Sequence, residues 1–232
     1  MNNKSILINN KFKKVCNIFF DLDGTLIDNL IDITTALNQI RQHFKLIPMD
    51  KKKIAEFIGL GFPSIMKKVL HDLGQNTPKE EIDQALKLNR EFYTQNLGKN
   101  TLVYPGVIET LTRLKKQGIK LAIVTNAGEY NAVKLLTKLN LLDFFQVVIG
   151  GDTTSFYKPE PWPLQYAMEQ LAASKNDSVM VGDSEIDYMC SQAAGVPFAF
   201  VTYGYHYGFD FNKYRMYAVI NKFDRLFDSI NI

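Results

Sequence analysis

The sequence predicts an α/β fold: a Rossmann-like parallel sheet core flanked by helices, with an α-helical domain inserted into it. Two observations predict this arrangement. Short runs of β-branched and aromatic residues alternate with amphipathic stretches through residues 106–204. Residues 30–100, in contrast, have a helical pattern and contain no convincing strand, so they interrupt the alternation as an insertion.

Five strands are predicted for the core. Each is a nearly continuous apolar run, which is typical of parallel strands covered by helices on both faces; the runs are residues 15–20, 120–125, 146–151, 178–183 and 198–204. The helices predicted between the later strands are residues 106–117, 129–139, 163–172 and 185–194. This alternation of strands and helices predicts right-handed crossovers.

The insertion divides the chain into three parts. Residues 30–98 are predicted to form a helical cap domain, because runs such as LIDITTALNQIRQHF have helical periodicity. Residues 15–29 and 99–232 are predicted to form the α/β core, with linkers near Asn29 and in residues 98–104. Residues 1–14 are predicted to be a basic tail, since they contain four lysines and no acid.

Composition narrows the function classes. The 232 residues are 46% hydrophobic and 22% charged, as in ordinary globular proteins. The net charge of +3 comes from the basic tail, so we expect no nucleic-acid partner. Cys16 and Cys190 lie outside any metal-binding or pairing motif, and no apolar run is long enough to span a membrane. We therefore expect a cytoplasmic protein without a membrane partner, either a monomer or a homodimer.

Two carboxylates follow the first predicted strand. Asp21 and Asp23 are two residues apart, so in extended chain their side chains face the same side. Gly24 then permits a tight turn. One carboxylate is suited to attack phosphorus while the other acts as general acid and base. The alternative is that both aspartates are simply turn or helix-cap residues.

Two further segments follow predicted strands. Thr125 and Asn126 precede a predicted helix, where a hydroxyl and main-chain N–H groups form a phosphate site; a strand threonine is, however, common. Lys158 lies in YKPEPWPL, whose prolines keep the segment extended. Such a lysine neutralises phosphoryl groups and carboxylates, although an ordinary surface lysine is the alternative.

A second pair of aspartates follows the fourth predicted strand. Ser184 and Asp187 fit a helix capping box, which accounts for Asp187 without any catalytic role. Asp183 is not explained by capping. Asp21, Asp23 and Asp183 together form an oxygen-only ligand set, which selects a hard cation, and Mg²⁺ is the expected cofactor.

Four segments occur in the order typical of one family: DLDGT, VTN, KPEP and GDSEID. With them the sequence resembles the haloacid dehalogenase (HAD) superfamily of phosphohydrolases, in the branch with a helical cap after the first strand. The resemblance covers nearly the whole chain from about residue 15. It implies that Asp21 forms an aspartyl-phosphate and that Asp23 protonates the leaving group and then activates water. It also implies that Thr125 and Lys158 hold the phosphoryl group.

The resemblance further implies a metal site and a substrate site. Mg²⁺ would be bound by Asp21, the main-chain carbonyl of Asp23 and Asp183, while Asp187, with Ser184 beside it, would support Lys158 or a metal-bound water. The cap loop FIGLGFPSIMKK would close over the site, although an ordinary helix-joining turn is the alternative. The residues expected to bind substrate or phosphate are Asp21, Gly24, Gly59, Gly61, Thr125, Asn126 and Lys158.

Within the superfamily, three segments are similar to those of the phosphoglycolate phosphatase branch: YPGVIETLTRLKKQGIKLAIVTN, VVIGGD and VTYGYHYG. The sequence departs from that branch at Ala127, where a lysine is usual, and at the bulky Trp162. The resemblance implies hydrolysis of 2-phosphoglycolate, a small phosphate ester, to glycolate and phosphate.

Three alternatives to that function remain open. One is another phosphatase substrate, such as a sugar phosphate, a nucleotide or pyrophosphate. The others are a β-phosphoglucomutase-like phosphomutase and a non-catalytic binding protein. Carbon–halogen hydrolysis is disfavoured because it would leave Asp23 and the metal ligands without a role.

Overall fold

The structure is a computed structural model that describes residues 14–74, 77–206 and 208–232. The predicted basic tail, apart from Lys14, lies outside the described residues. Among the described residues, no helix combines the length and apolar character needed to cross a bilayer.

A six-stranded parallel sheet forms the centre of the fold. Its strands are β1 (Asn17–Phe20), β4 (Lys120–Val124), β5 (Val147–Ile149), β6 (Ser178–Gly182), β7 (Phe198–Val201) and β8 (Ala218–Ile220), in the order β5-β4-β1-β6-β7-β8. Strand β1 is central, because Asn17 pairs with Lys120 of β4 on one side and with Ser178 of β6 on the other. The predicted parallel α/β sheet is therefore confirmed.

Helices cover both faces of the sheet. The core helices are α5 (Val107–Lys116), α6 (Glu129–Lys138), α7 (Trp162–Gln170), α8 (Glu185–Ala194) and α9 (Leu226–Ser229). Ile18 and Phe20 of β1 belong to a buried cluster with residues of α5, α6 and α9, whereas Phe19 belongs to a cluster with residues of α7 and α8. Because alternate strand residues face opposite sides and both sides are covered, Ile18, Phe19 and Phe20 are all apolar.

Residues 30–96 contain four α-helices: α1 (Leu30–His43), α2 (Lys51–Ala55), α3 (Phe62–Val69) and α4 (Lys79–Asn96). They share an apolar cluster that includes Leu37, Ile40 and Met66. We call residues 30–96 the helical insertion. Whether it is a separate cap domain with the bounds 30–98 stays a prediction.

The two connections to the insertion contact each other. Strands β2 (Ile27–Asp28) and β3 (Leu102–Val103) form a short antiparallel pair. The buried Asp32 carboxylate accepts hydrogen bonds from the main-chain N–H of Asn100 and from the Thr101 hydroxyl. These hydrogen bonds hold the start of α1 against residues 100–101, which lead back to the core.

Two differences between the observed and the predicted strands concern the last part of the sheet. The last predicted strand, 198–204, ends at Val201, and residues 202–205 form a loop that reaches the site described below. Strand β8 was not predicted. Only three residues form it, and Val219 is half exposed, as expected at the edge of a sheet, so the segment lacks a long apolar run.

Candidate active site

The carboxyl ends of three adjacent strands bring the predicted site residues together. Asp21 and Asp23 follow β1, Thr125 follows β4 and Asp183 follows β6. Since β4, β1 and β6 are neighbours, these residues lie along one edge of the sheet, where open α/β sheets bind ligands. All four line one cavity together with Lys158.

Lys158 reaches this edge as a buried ammonium. Its side chain is only 2% exposed, and Nζ lies 2.7 Å from Asp21 Oδ1 and 2.6 Å from Asp187 Oδ1. Burial opposes its charge, but Asp187 and Asp21 outweigh burial and raise the pKa of Lys158. The lysine is therefore charged at neutral pH and compensates two buried carboxylates.

Asn126 positions Lys158 from the main chain. The main-chain N–H of Lys158 donates to Asn126 Oδ1 at 2.9 Å, and Asn126 Nδ2 donates to the Lys158 carbonyl at 2.8 Å. Nδ2 also donates to the Gly59 carbonyl at 2.7 Å, which fastens the helical insertion to the core. The Asn126 side-chain amide therefore positions Lys158 and Gly59. The predicted contact of Asn126 with phosphate would be made by its main-chain N–H, and it stays a prediction.

Asp183 is held by two donors. The Thr25 hydroxyl donates to Oδ1 at 2.9 Å and the Tyr205 main-chain N–H donates to Oδ2. Burial, together with the nearby Asp187 charge, raises the pKa of Asp183 to about 7. Gly24 packs directly against this carboxylate at φ +86°, where an added Cβ would overlap it, which explains the glycine in the turn.

Asp187 has both roles considered in the sequence analysis: it caps helix α8 and it contacts Lys158. Its Oδ2 accepts from the Ser184 N–H and hydroxyl, while the Asp187 N–H donates to Ser184 Oγ, completing the capping box of α8. Its Oδ1 is the oxygen that contacts Lys158. Both carboxylate oxygens therefore have partners within the protein.

The acidic cluster suits a metal ion. Asp21, Asp183 and Asp187 offer buried oxygens within 4.8 Å of one another. Burial, and next the Asp187 charge, raise the pKa of Asp21 even though Lys158 is adjacent, so a further cation would favour the ionised carboxylate. Asp187 is paired with the Lys158 ammonium, so Asp21 and Asp183 stay the predicted side-chain ligands. The predicted contribution of the Asp23 carbonyl stays a prediction.

Asn29 orients Asp23 and was not assigned a role from the sequence. Its Nδ2 donates to Asp23 Oδ1 at 2.6 Å and lies 3.1 Å from the Tyr93 hydroxyl of α4. Burial raises the pKa of Asp23 to about 6, while the Asn29 hydrogen bond and Lys158 oppose the rise. A carboxyl group with this pKa exchanges a proton near neutral pH, as a general acid and base must.

Tyr205 links the site to the segment that leads from β1 into the helical insertion, and it was assigned no role from the sequence. Its hydroxyl accepts from the N–H groups of Asn29 and Leu30, at 2.9 and 3.1 Å, and donates to Asp28 Oδ1 at 2.7 Å. Tyr205 lies in the VTYGYHYG segment. Tyr205 lines the cavity, whereas His206 packs edge-on against Phe200; Tyr207 lies outside the described residues.

The helical insertion covers the cavity, which has a volume of about 50 Å³. Gly59 and Gly61 line it, as predicted. Gly61 has φ +79° and lies against the Tyr157 ring, which would be 2.9 Å from an added Cβ, so only glycine permits this approach. Of the two departures noted in the sequence, Ala127 lines the cavity, whereas Trp162 is 54% exposed and stacks on Phe156.

Comparison with known proteins agrees with this geometry. A family model described as haloacid dehalogenase-like hydrolase matches residues 18–201. A Pseudomonas aeruginosa protein named phosphoglycolate phosphatase 1 is 37% identical over 196 residues, covering 82% of this chain and 71% of that protein. A Colwellia psychrerythraea protein named phosphoglycolate phosphatase is 34% identical over 218 residues, covering 92% and 96%.

A solved structure shows the same fold. The crystal structure of a predicted phosphoglycolate phosphatase from Haemophilus somnus aligns with a TM-score of 0.85 at 26% identity, covering 93% of this chain and 98% of that chain. The family match spans most of the chain and includes Asp21, Thr125, Lys158 and Asp183. The chain therefore belongs to the haloacid dehalogenase-like hydrolases.

Proposed function

We propose that this hydrolase is a Mg²⁺-dependent phosphatase that converts 2-phosphoglycolate to glycolate and phosphate through an aspartyl-phosphate. The observation that carries the chemistry is the buried Asp21, which contacts Lys158 at 2.7 Å and shares a 4.8 Å cluster with Asp183. The names of relatives at 34–37% identity support the substrate.

The reaction uses two carboxylates in turn. The Asp21 carboxylate attacks phosphorus, and the bond from phosphorus to the ester oxygen breaks as Asp23 gives that oxygen a proton. Asp23, now ionised, takes a proton from water as the water oxygen attacks the aspartyl-phosphate. Phosphate leaves and both aspartates return to their starting states. The Asn29 hydrogen bond keeps Asp23 oriented for both transfers.

The phosphoryl group needs positive partners. Lys158 supplies a fixed ammonium beside Asp21, and the Thr125 hydroxyl, which accepts the Ala127 N–H at 3.1 Å, lines the same cavity. Bound Mg²⁺ would add positive charge that offsets the acidic cluster and the anionic substrate.

The covered cavity favours a small substrate. A volume of about 50 Å³ corresponds to roughly four water molecules at about 10–15 Å³ of accessible space each. A nucleotide would require the helical insertion to move away, whereas glycolate is among the smallest leaving groups in the panel of alternatives. The covered cavity thus supports a small phosphate ester rather than a nucleotide.

A substrate panel tests the proposal. With Mg²⁺ present, we expect kcat/KM for 2-phosphoglycolate to exceed that for glucose 6-phosphate, AMP and pyrophosphate by about a hundredfold, or ~2.7 kcal/mol of transition-state stabilisation. Phosphate release is measured with each substrate at several concentrations. A flat panel, or a better substrate elsewhere, would retain the phosphatase chemistry and reject 2-phosphoglycolate.

Mg²⁺ should stabilise the protein more at high than at low pH. The pKa values of Asp23 and Asp183 are raised to about 6 and about 7. A pKa that is higher in the folded than in the unfolded state increases the free energy of unfolding at low pH. This contribution is complete below the unfolded-state pKa of about 4 and is lost as pH rises through 6–7. Protons compete with the cation for the Asp183 carboxylate, so we expect a larger Mg²⁺-induced rise in Tm at about pH 8 than at about pH 5.

The measurement is calorimetry in EDTA and in Mg²⁺ at both pH values. Asp183→Asn removes a proposed ligand and should abolish most of the Mg²⁺ effect. Equal Tm shifts at the two pH values, or a shift that persists in Asp183→Asn, would contradict this site.

A further inference from the structure

One buried polar side chain in the cavity wall has no hydrogen-bond partner among the described residues. Asn89 of α4 is only 5% exposed and lines the cavity. The buried Asn29, Asn96 and Asn126 all make side-chain hydrogen bonds, whereas Asn89 makes none with any described residue. Buried amides are normally hydrogen-bonded, so an unpaired one facing a cavity points to a ligand.

The surroundings of Asn89 limit what that ligand is. The cavity wall contributed by the helical insertion also contains the apolar side chains of Ile33, Leu37 and Ile65. Among the described lining residues, Lys158 is the sole cationic side chain, and it is already paired with two carboxylates. An anionic group on this side would therefore have to be bound by neutral donors.

Helix α3 provides such donors. It begins after Gly61, has no side-chain N-cap, and places Gly61 and Phe62 on the cavity. The first N–H groups of a helix have no partner within it and carry partial positive charge. Asn89 is a separate contributor from another helix, so two independent elements offer hydrogen-bond donors to one space.

We propose that the Asn89 amide and the first turn of α3 form a carboxylate subsite that recognises the leaving group. This inference rests on the proposed phosphatase function and assigns recognition of the substrate carboxylate to this subsite. The phosphoryl group binds between Lys158 and Thr125, and the carboxylate points toward Asn89. Selectivity then comes from hydrogen bonds to a neutral amide and a helix end rather than from an arginine or lysine.

Binding to a non-turnover variant tests the subsite. In Asp21→Asn protein with Mg²⁺, calorimetry gives Kd for 2-phosphoglycolate and for isobutyl phosphate, in which two methyl groups replace the carboxylate oxygens. We expect Asn89→Leu to reduce the preference for 2-phosphoglycolate by at least about tenfold, or ~1.4 kcal/mol. Asn89→Asp should reduce it further, because it places a carboxylate against the carboxylate of the ligand.

Asn96→Leu is the matched control, since Asn96 is also a buried asparagine of α4 but bonds to Gln39 and to the Phe92 carbonyl. This variant should not change the ratio of the Kd for 2-phosphoglycolate to the Kd for isobutyl phosphate. A ratio that Asn89→Leu does not change would overturn the subsite. If the ratio falls as expected but Asp21-containing protein does not hydrolyse 2-phosphoglycolate, the subsite stands and the proposed function fails.

Discussion

Replacing Asp21 with Asn is expected to lower kcat by at least about 10⁴-fold, or ~5.4 kcal/mol, for every phosphate ester that the enzyme accepts. The amide cannot form the acyl-phosphate bond, and no other carboxylate stands in its place, since Asp187 is held by Lys158 and Ser184. Steady-state phosphate release gives kcat, and acid quenching of the wild type with labelled substrate should trap a phosphoryl group on Asp21.

The amide nearly matches the carboxylate in shape, so the Asp21→Asn protein should fold and still bind inorganic phosphate. Substantial residual turnover, or a trapped phosphoryl group on another residue, would mean that Asp21 is not the nucleophile. Loss of phosphate binding along with turnover would instead indicate a damaged site.

Replacing Lys158 with Met is expected to lower the free energy of unfolding by about 3–5 kcal/mol at pH 8 in the absence of Mg²⁺, because two buried carboxylates lose their counter-ion. Burial already raises the pKa of Asp21, and Lys158 opposes that rise. Without the lysine, Asp21 is stabilised by taking up a proton, so the deficit should shrink as pH falls toward 5. Urea unfolding at pH 8 and at pH 5 measures the difference in unfolding free energy between the variant and the wild type.

Lys53→Met is the matched control for that variant. Lys53 Nζ also lies 2.6 Å from a carboxylate, that of Glu56, but its side chain is 55% exposed. Solvent screens this pair, so its loss should cost at most about 1 kcal/mol. Similar losses for the two variants, or a Lys158→Met deficit that does not depend on pH, would show that Lys158 does not compensate a buried charge.

The sheet edge was predictable because three of the side chains that meet there follow apolar runs. Asp21, Thr125 and Asp183 come directly after strands whose composition marks them, and parallel strands bring their carboxyl ends to one edge. Lys158 was placed by its proline-rich context rather than by a strand. Local pattern and topology together therefore located the chemical centre.

The side chains that hold this centre in place were not predictable in the same way. Asn126 bonds to Lys158, 32 positions away, and Tyr205 bonds to Asn29, 176 positions away. These contacts depend on how helices and loops pack, which residue spacing does not encode. Asn29 was named only as a linker residue, and Asn89 is one polar residue among many in an amphipathic helix, so neither has a local signal.

The central position of β1 has a consequence for the order in which the chain folds. Although β1 is the first strand, its two neighbours begin at Lys120 and Ser178, more than a hundred residues later. Contacts of such long sequence separation form slowly, because a large loop must close first. On the ribosome, β1 lacks one of its two neighbouring strands until the chain has been synthesised through Gly182. Asp21, the proposed nucleophile, is thus among the first residues of the site to be made and the last to acquire its surroundings.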